Sequence, residues 1–420
     1  MSRRAPFERR LRDELHGARP PRAAEAERRA WHVVSAAHAA RTPVRERRRG
    51  VRFAAAAAVA AALGALALTP AGAKVGDWID DVVSPAPEAT RSSLTSLPAK
   101  GRLLVVADGG AFIVRDDGAS RRLGSFRDAT WSPGGLFVAG ARGRELVAMN
   151  PDGSERWTRP GPGPVSLPRW SPDGYRIAYR SGPDLYVAIG NNDDSWRLWR
   201  GVGAAPPAWK PLPQPLEQVL AFAAGARVRI VEVDPPHRVL GVTQPGPAPR
   251  EIWWGDGGRR LVTVTARSVR VHGPGGALLR TIDLPRGFES AGSAMAPAGK
   301  RLAVVARSAN PAVPSRLLLV RLGRAGSPRL LVSLPGSFEG LSWSMDGSVL
   351  VLGLPAADQW LFVRPRASVA LESVKGIRNE FAAGLEPRRG EFPRPAGWCY
   401  AEPANRTAGG QPPCSSGSPP

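Results

Sequence analysis

The sequence Trp170-Ser171-Pro172-Asp173-Gly174-Tyr175-Arg176-Ile177-Ala178-Tyr179 predicts the end of one strand, a tight turn and the start of a second strand. Pro172 presets φ for the first corner of the turn. Asp173 and Gly174 supply a side-chain cap and a residue that tolerates positive φ. The residues from Tyr175 to Tyr179 alternate in polarity, as in a half-buried strand. The stretch therefore predicts a β-hairpin.

Degraded copies of this stretch recur along most of the chain. Each has a position equivalent to Trp170, then a turn and then an apolar strand; these positions are Ser96, Trp131, Trp170, Trp209, Trp254, Met295 and Trp343. Successive positions lie 35, 39, 39, 45, 41 and 48 residues apart. A repeat of about 40 to 45 residues made of short strands is the period of a four-stranded propeller blade. We therefore expect an all-β fold, a β-propeller with seven blades favoured and six as the alternative.

The residues of the repeat are explained by the way its units stack. One unit has an apolar face that it cannot bury alone, and stacking units around a ring buries both faces. We assign structural roles in the repeat to Trp131, Pro133, Trp170, Pro172, Asp173, Gly174, Trp209, Trp254, Gly257, Trp343, Asp346 and Gly347. The competing interpretation is a β-sandwich with scattered tryptophans.

The run W-S-P-D-G-x-x-I-A-Y at Trp170 resembles the WD40-like propeller repeat of the TolB type. The resemblance covers roughly residues 90–375, and only the copy at Trp170 keeps the full Ser-Pro-Asp-Gly core. It implies a propeller that binds proteins or serves as a scaffold. It implies no particular ligand.

The chain is strongly basic, with a formal net charge of +22 and a pI near 11.4. Such a charge is typical of proteins that meet nucleic acids or anionic membranes. However, the basic residues of the repeat region are not confined to one patch. The sequence also has no RNP-like aromatic motif, zinc finger or clear helix-turn-helix signature. We therefore do not expect nucleic acid as a partner.

Residues 1–52 read as a basic cytoplasmic arm with two short amphipathic helices. Phe7, Leu11 and Leu15 share one face of the first predicted helix. An arginine-rich run then ends the arm just before an apolar segment. This pattern predicts docking on a cytoplasmic protein or on anionic lipid. The alternative is a disordered basic tail whose arginines only set the membrane topology.

Residues 53–73 are 21 residues without a charge, and about 20 apolar residues span a bilayer. Arginines precede this segment and aspartates follow it, which predicts one transmembrane helix with the N-terminus in the cytoplasm. The propeller would then lie on the extracytoplasmic side of the cell membrane. Two alternatives remain: signal-peptidase cleavage after Ala71-Gly72-Ala73, and a soluble Ala-rich helix.

The remaining boundaries follow from composition. Residues 74–95 predict a juxtamembrane helix and a Pro/Ser linker, residues 96–378 the β-propeller, and residues 379–420 an irregular C-terminal tail. Both cysteines, Cys399 and Cys414, lie in that tail. In an oxidising compartment they would form a disulfide that stabilises the fold by about 3 kcal/mol. The alternative is two unrelated thiols.

Motifs for catalysis and metal binding are missing from the sequence. It has no H-E-x-x-H pair, G-x-S-x-G elbow, Walker loop or Rossmann fingerprint, and we assign no catalytic, cofactor-binding or metal-binding residues. We therefore expect a non-enzymatic, membrane-anchored scaffold whose propeller binds a protein, peptide or envelope component. The alternatives are a released extracytoplasmic propeller and a hydrolase-like enzyme with carboxylates converging in the central channel.

Overall fold

The computed structural model describes residues 89–91, 93–191, 194–211, 218–323, 326–382, 391–401 and 414–415, without the side chains of 89–91. The predicted arm, transmembrane helix and juxtamembrane helix lie outside the described residues. Within the described ranges, none of the helices has the length and apolar character that a membrane span requires.

The described residues form strands almost throughout. One short α-helix, α1 (Ile377–Glu380), and two 3-10 turns (Asp256–Gly258 and Pro355–Ala357) interrupt them. In chain order the strands are β1 (Ala89–Arg91), β2 (Arg102–Ala107), β3 (Gly110–Arg115), β4 (Ser120–Gly124), β5 (Asp128–Trp131), β6 (Val138–Arg142), β7 (Glu145–Met149), β8 (Glu155–Pro160), β9 (Val165–Trp170), β10 (Arg176–Ser181), β11 (Asp184–Ile189), β12 (Ser195–Trp199), β13 (Ala208–Trp209), β14 (Val219–Ala224), β15 (Arg227–Glu232), β16 (Arg238–Val242), β17 (Glu251–Gly255), β18 (Arg260–Val264), β19 (Ser268–His272), β20 (Leu278–Asp283), β21 (Phe288–Met295), β22 (Arg301–Ser308), β23 (Ser315–Arg321), β24 (Arg329–Leu334), β25 (Glu339–Trp343), β26 (Leu350–Leu354), β27 (Gln359–Pro365), β28 (Val369–Lys375) and β29 (Arg394–Cys399).

These strands form seven sheets, one for each blade of a propeller. Blade 1 combines β29 with β2, β3 and β4. Blades 2 to 6 each comprise four consecutive strands and begin at β5, β9, β13, β17 and β21. Blade 7 comprises β25 to β28, with β1 as a fifth strand on its outer edge. The prediction of an all-β, WD40-like propeller with seven blades is confirmed, and the six-bladed and sandwich alternatives are wrong.

The innermost strands β5, β9, β13, β17, β21, β25 and β29 contact one another in ring order. Seven apolar cores lie between neighbouring blades within the described residues, and each combines side chains of two blades. The repeat aromatic at the end of an innermost strand packs against the preceding blade. Trp343 of blade 7, for example, shares a core with Leu317 of blade 6. Burial of each large apolar side chain contributes about 1.5 to 3 kcal/mol.

The turn after Trp170 shows how the repeat reverses the chain. Ser171 N donates to Arg176 O at 2.8 Å, and Gly174 N donates to Ser171 O at 2.8 Å. Gly174 has a φ of 65°, which a residue with a side chain rarely adopts. Tyr175 N donates to Asp173 Oδ1 at 2.9 Å, so the carboxylate caps the turn. Hydrogen bonds of the same kind close the turn that contains Asp346 and Gly347.

Blade 1 differs from the sequence-based expectation. Its innermost strand is β29, from the end of the chain, which pairs antiparallel with β2 so that Leu103 lies opposite Trp398. The expected repeat copy at Ser96 is therefore wrong, and residues 394–399 are a strand although we predicted an irregular tail over 379–420. Pairing of β29 with β2 satisfies a strand edge of blade 1 that would otherwise remain open. A search for consecutive repeats cannot detect a blade made from both ends.

The structure also corrects the predicted linker near its C-terminal end. Residues Ala89–Arg91, which we predicted within a Pro/Ser linker, form β1 and pair in parallel with β28. Ala89 lies opposite Glu372 and Arg91 opposite Val374. The outer edge of blade 7 offers unpaired backbone groups, and an extended segment satisfies them without needing a particular side chain.

We expect Gly101→Ala to destabilise the closure between β2 and β29 more than Gly143→Ala destabilises blade 2. Both glycines have positive φ, 132° and 60°, and a left-handed backbone costs an alanine about 1 to 2 kcal/mol. At Gly101 a Cβ would also lie 2.3 Å from Cys399 O, whereas nothing lies within 4 Å at Gly143. Urea unfolding should therefore show a loss about 1 to 3 kcal/mol larger for Gly101→Ala. Equal losses would contradict the close packing of β29 on Gly101.

Candidate functional site

A cavity of about 140 Å³, called the central cavity, is bounded by the innermost strands of blades 2 to 5 and by the turns that follow them. Its walls are mainly tryptophan and proline. The tryptophans are Trp131, Trp170, Trp209, Trp253 and Trp254, and the charged residues are Arg169 and Glu251. An apolar cavity with a few convergent polar groups is the usual form of a small-molecule site.

The repeat tryptophans follow a hydrogen-bonding rule. In three of them the indole Nε1 donates to the backbone carbonyl one residue before the repeat position of the preceding blade. Trp209 donates to Arg169 O at 2.8 Å, Trp254 to Ala208 O at 3.1 Å, and Trp343 to Ala294 O at 3.0 Å. These bonds join successive innermost strands and satisfy an N–H group that is buried with its ring.

Trp131 and Trp170 break this rule. Their side chains are buried, with 4% and 8% of their surfaces exposed, and neither indole nitrogen has an acceptor among the described residues. A buried donor without a partner costs about 1 to 3 kcal/mol. The two exceptions belong to adjacent blades, and both rings line the cavity. Both rings therefore line the same space, while each indole nitrogen is itself enclosed by protein.

Arg169 is a nearly buried cation with few partners. Its Nη1 donates to Pro168 O at 2.8 Å and lies 4.0 Å from Asp128 Oδ1. Among the described residues, its Nε and Nη2 have no acceptor. Burial lowers the pKa of the guanidinium, and the negative charges of Asp128 and Glu251 partly offset this shift. Asp128 is itself held in place by Leu167 N, which donates to Oδ2 at 2.8 Å.

Glu251 is buried at the start of β17, with 3% of its surface exposed. Burial raises the pKa of its carboxyl to about 7, although hydrogen bonds from Ser293 and Trp253 and the charge of Arg169 lower it. Ser293 Oγ donates to Glu251 Oε2 and accepts from Trp253 Nε1 at 2.8 Å. The carboxyl is therefore fixed in orientation and changes its charge near neutral pH.

Residues 414–415 reach the same region. Cys399 of β29 forms a disulfide with Cys414, and Cys414 lines the cavity. Cys414 N donates to Pro133 O at 2.9 Å, Ser415 N donates to Trp398 O at 2.9 Å, and Trp398 N donates to Ser415 Oγ at 2.9 Å. The disulfide thus joins the innermost strand of blade 1 to a segment that lies against blade 2.

The structure brings some of the sequence-assigned residues together and separates others. Those that line the cavity are Trp131, Pro133, Trp170, Pro172, Trp209, Trp254 and Cys414. Trp343 lies instead in the core between blades 6 and 7, and Asp346 caps the turn after it. Gly174, Gly257 and Gly347 occupy turns at positive φ. Asp173 accepts from Gln218 Nε2 at 2.8 Å and so links blades 3 and 4.

Sequence reasoning missed the charged residues of the site. Asp128, Arg169 and Glu251 come from three different innermost strands, and their separation in the sequence gives no sign of convergence. The sequence offered one signal. Arg169 directly precedes the repeat tryptophan Trp170, so this charged residue belongs to a predicted innermost strand. Among the described residues, no group of three or more His, Cys, Asp or Glu side chains is arranged to hold a metal ion.

No protein-family model matches the chain, and no curated protein sequence matches it. Solved structures with similar folds include the C-terminal WD40 domain of Sif2, at 13% identity and a TM-score of 0.49, covering 79% of this chain and 95% of that one. The β-propeller domain of Myceliophteria thermophila Cps50 (Swd1) has 13% identity and a TM-score of 0.47, covering 59% and 86%. Kuenenia stuttgartiensis hydrazine synthase has 12% identity and a TM-score of 0.48, covering 56% and 76%.

Proposed function

We propose that this chain is a non-enzymatic binding scaffold of the TolB-like type, anchored in the cell membrane, whose propeller binds its ligand in the central cavity. The observation that carries this proposal is the cavity itself. Tryptophan and proline walls supply apolar contact, while Arg169 and Glu251 supply orientation. This combination fits binding better than a merely structural channel, because burying such groups without a ligand is unfavourable.

The propeller is proposed to lie on the extracytoplasmic side. The disulfide between Cys399 and Cys414 supports this placement, because disulfides persist mainly in oxidising compartments. The uncharged segment 53–73 and the arginines before it support a single span with residues 1–52 in the cytoplasm. That arm would then dock on a cytoplasmic protein, while the propeller contacts a protein, peptide or envelope component.

The test of this placement is protease accessibility of a C-terminal tag in intact and lysed cells, combined with the mass of the mature chain. We expect a full-length chain whose tag is cut from outside. A tag protected until lysis would overturn the extracytoplasmic placement. A mature chain that begins near Lys74 would overturn the anchor and indicate the released propeller instead.

A hydrolase-like enzyme is the second candidate, and Glu251 favours it. A buried carboxyl with a pKa of about 7 beside a cavity is suited to general acid or base catalysis. Asp128 is a second carboxylate near Arg169, with its Oδ1 4.0 Å from Nη1. The discriminating experiment compares hydrolysis of an aryl ester and an aryl glycoside panel by wild type, Glu251→Gln and Glu372→Gln. Turnover that only Glu251→Gln abolishes would favour the enzyme over the scaffold.

A further inference from the structure

We propose that the central cavity binds a compact monoanion, specifically a carboxylate carried on a planar apolar group of about the size of benzene. The inference rests on the proposed binding function and names the ligand class for the same site. Its test measures binding by the purified protein, so the result does not depend on which side of a membrane the propeller lies.

Arg169 presents hydrogen-bond donors to the cavity, because its Nε and Nη2 have no acceptor among the described residues. The indole N–H groups of Trp131 and Trp170 are enclosed by protein, so these two side chains offer a ligand their rings. The guanidinium nitrogens of Arg169 are therefore the groups that a ligand can satisfy. A ligand that satisfies these groups must bring acceptor oxygens, and a carboxylate offers two oxygens that match the fork of an arginine.

The balance of charge around Arg169 also favours an anion. Its guanidinium faces Asp128 of β5, Glu251 of β17 and Arg394 of β29. Arg394 in turn faces Glu339 of β25. When Glu251 takes up a proton, Arg169 keeps only Asp128, at 4.0 Å, as a nearby anion. One further negatively charged group can then bind beside the guanidinium.

The size and walls of the cavity set the rest of the ligand. A volume of about 140 Å³ is close to that of an engineered protein cavity of about 150 Å³ that takes up benzene. The tryptophan and proline walls suit a flat apolar body, since aromatic rings pack favourably against one another. Benzoate combines this body with one carboxylate and is therefore the probe.

The test is isothermal titration calorimetry of the full-length chain with benzoate, benzamide and benzylamine at pH 6. We expect benzoate to bind at least about tenfold more tightly than its neutral isostere benzamide, and benzylamine not to bind. Equal binding of benzoate and benzamide would overturn the assignment of an anion while leaving a binding cavity. Preference for benzylamine, or no binding of benzoate, would overturn it as well.

Matched variants locate the site. Arg169→Met should raise the Kd for benzoate at least about tenfold, and Arg169→Lys should recover part of the loss. Trp131→Leu and Trp170→Leu each remove an aromatic wall of the cavity and should raise the Kd about two- to tenfold. Trp343→Phe changes a ring in the core between blades 6 and 7 and should leave the Kd unchanged. Near-UV circular dichroism checks that each variant is folded, and an unchanged Kd in both Trp131→Leu and Trp170→Leu would contradict the proposal.

Binding should also depend on pH through Glu251. Its carboxyl is raised to a pKa of about 7 by burial, and an anion bound near it favours the protonated form. Binding therefore takes up a proton, and the Kd should be about five- to tenfold lower at pH 6 than at pH 8.5. Glu251→Gln, whose side chain cannot ionise, should keep the low Kd at both pH 6 and pH 8.5. A pH-independent Kd in the wild type, or tighter binding at high pH, would contradict this coupling.

Two sources can supply such a carboxylate: a free aromatic acid or the C-terminus of a peptide chain. A tripeptide ending in Phe, compared with its C-terminal amide, separates them. Tighter binding of the peptide acid than of benzoate assigns the site to a chain terminus, and the reverse assigns it to a free acid. Peptide amide binding as tightly as peptide acid would contradict recognition of a carboxylate.

Discussion

We expect the Trp343→Ala variant to have a free energy of unfolding about 3 to 5 kcal/mol lower than that of the wild-type chain. Trp343 has none of its surface exposed and packs in the core between blades 6 and 7. Its indole also donates to Ala294 O at 3.0 Å, so the change removes both apolar contact and a bond between innermost strands. Urea unfolding followed by circular dichroism measures the loss.

The matched control for this prediction is Tyr175→Ala. Tyr175 lies in the turn after Trp170 in blade 3, away from the core between blades 6 and 7, and 49% of its surface is exposed. Its loss should change the free energy of unfolding by no more than about 0.5 kcal/mol. Similar losses for the two variants would contradict the assignment of the repeat tryptophan to a packed interface.

Truncation after residue 393 should abolish the cooperative unfolding transition of the propeller. The deletion removes β29, whose Trp398 and Cys399 are fully buried, and leaves β2 without its inner partner. Leu103 and Leu104 would then lie at an open edge of the ring, where an unpaired strand promotes aggregation. Size-exclusion chromatography and thermal unfolding of the truncated chain measure the effect.

The double variant Cys399→Ala, Cys414→Ala separates the strand from the disulfide. The two cysteines are 15 residues apart, and a disulfide that closes a loop of this length contributes about 3 kcal/mol. This variant should therefore remain folded with reduced stability. A truncated chain that unfolds as cooperatively as the double variant would show that β29 is dispensable, which contradicts closure of the ring through blade 1.

The repeat made the architecture predictable from the sequence because its signals are local. The aromatic before the turn, the Asp cap and the glycine at positive φ all act within a few residues, as Trp170, Asp173 and Gly174 illustrate. Blade 1 escaped prediction because its strands come from both ends of the chain. In the sequence, Trp398 lacks the Ser-Pro-Asp-Gly run that follows Trp170, so the turn signal that marks an innermost strand is missing there.

The candidate site was less predictable than the fold. Four of its five tryptophans were assigned to the repeat, with a core role, and Trp253 was not assigned. The indole hydrogen bond that distinguishes Trp343 from Trp131 and Trp170 depends on tertiary geometry. The convergence of Arg169 and Glu251 depends on how β9 and β17 are placed around the ring. Neither residue belongs to a motif, so their chemistry emerges only from burial and distance.

A crystal structure of the full-length chain grown with benzoate would test the central claim most directly. We predict benzoate in the central cavity, with a carboxylate oxygen within about 3.2 Å of a guanidinium nitrogen of Arg169 and the ring against the indoles of Trp131 and Trp170. A cavity without benzoate at saturating concentration, or benzoate bound only at the outer edges of the blades, would contradict the claim that this cavity is the binding site.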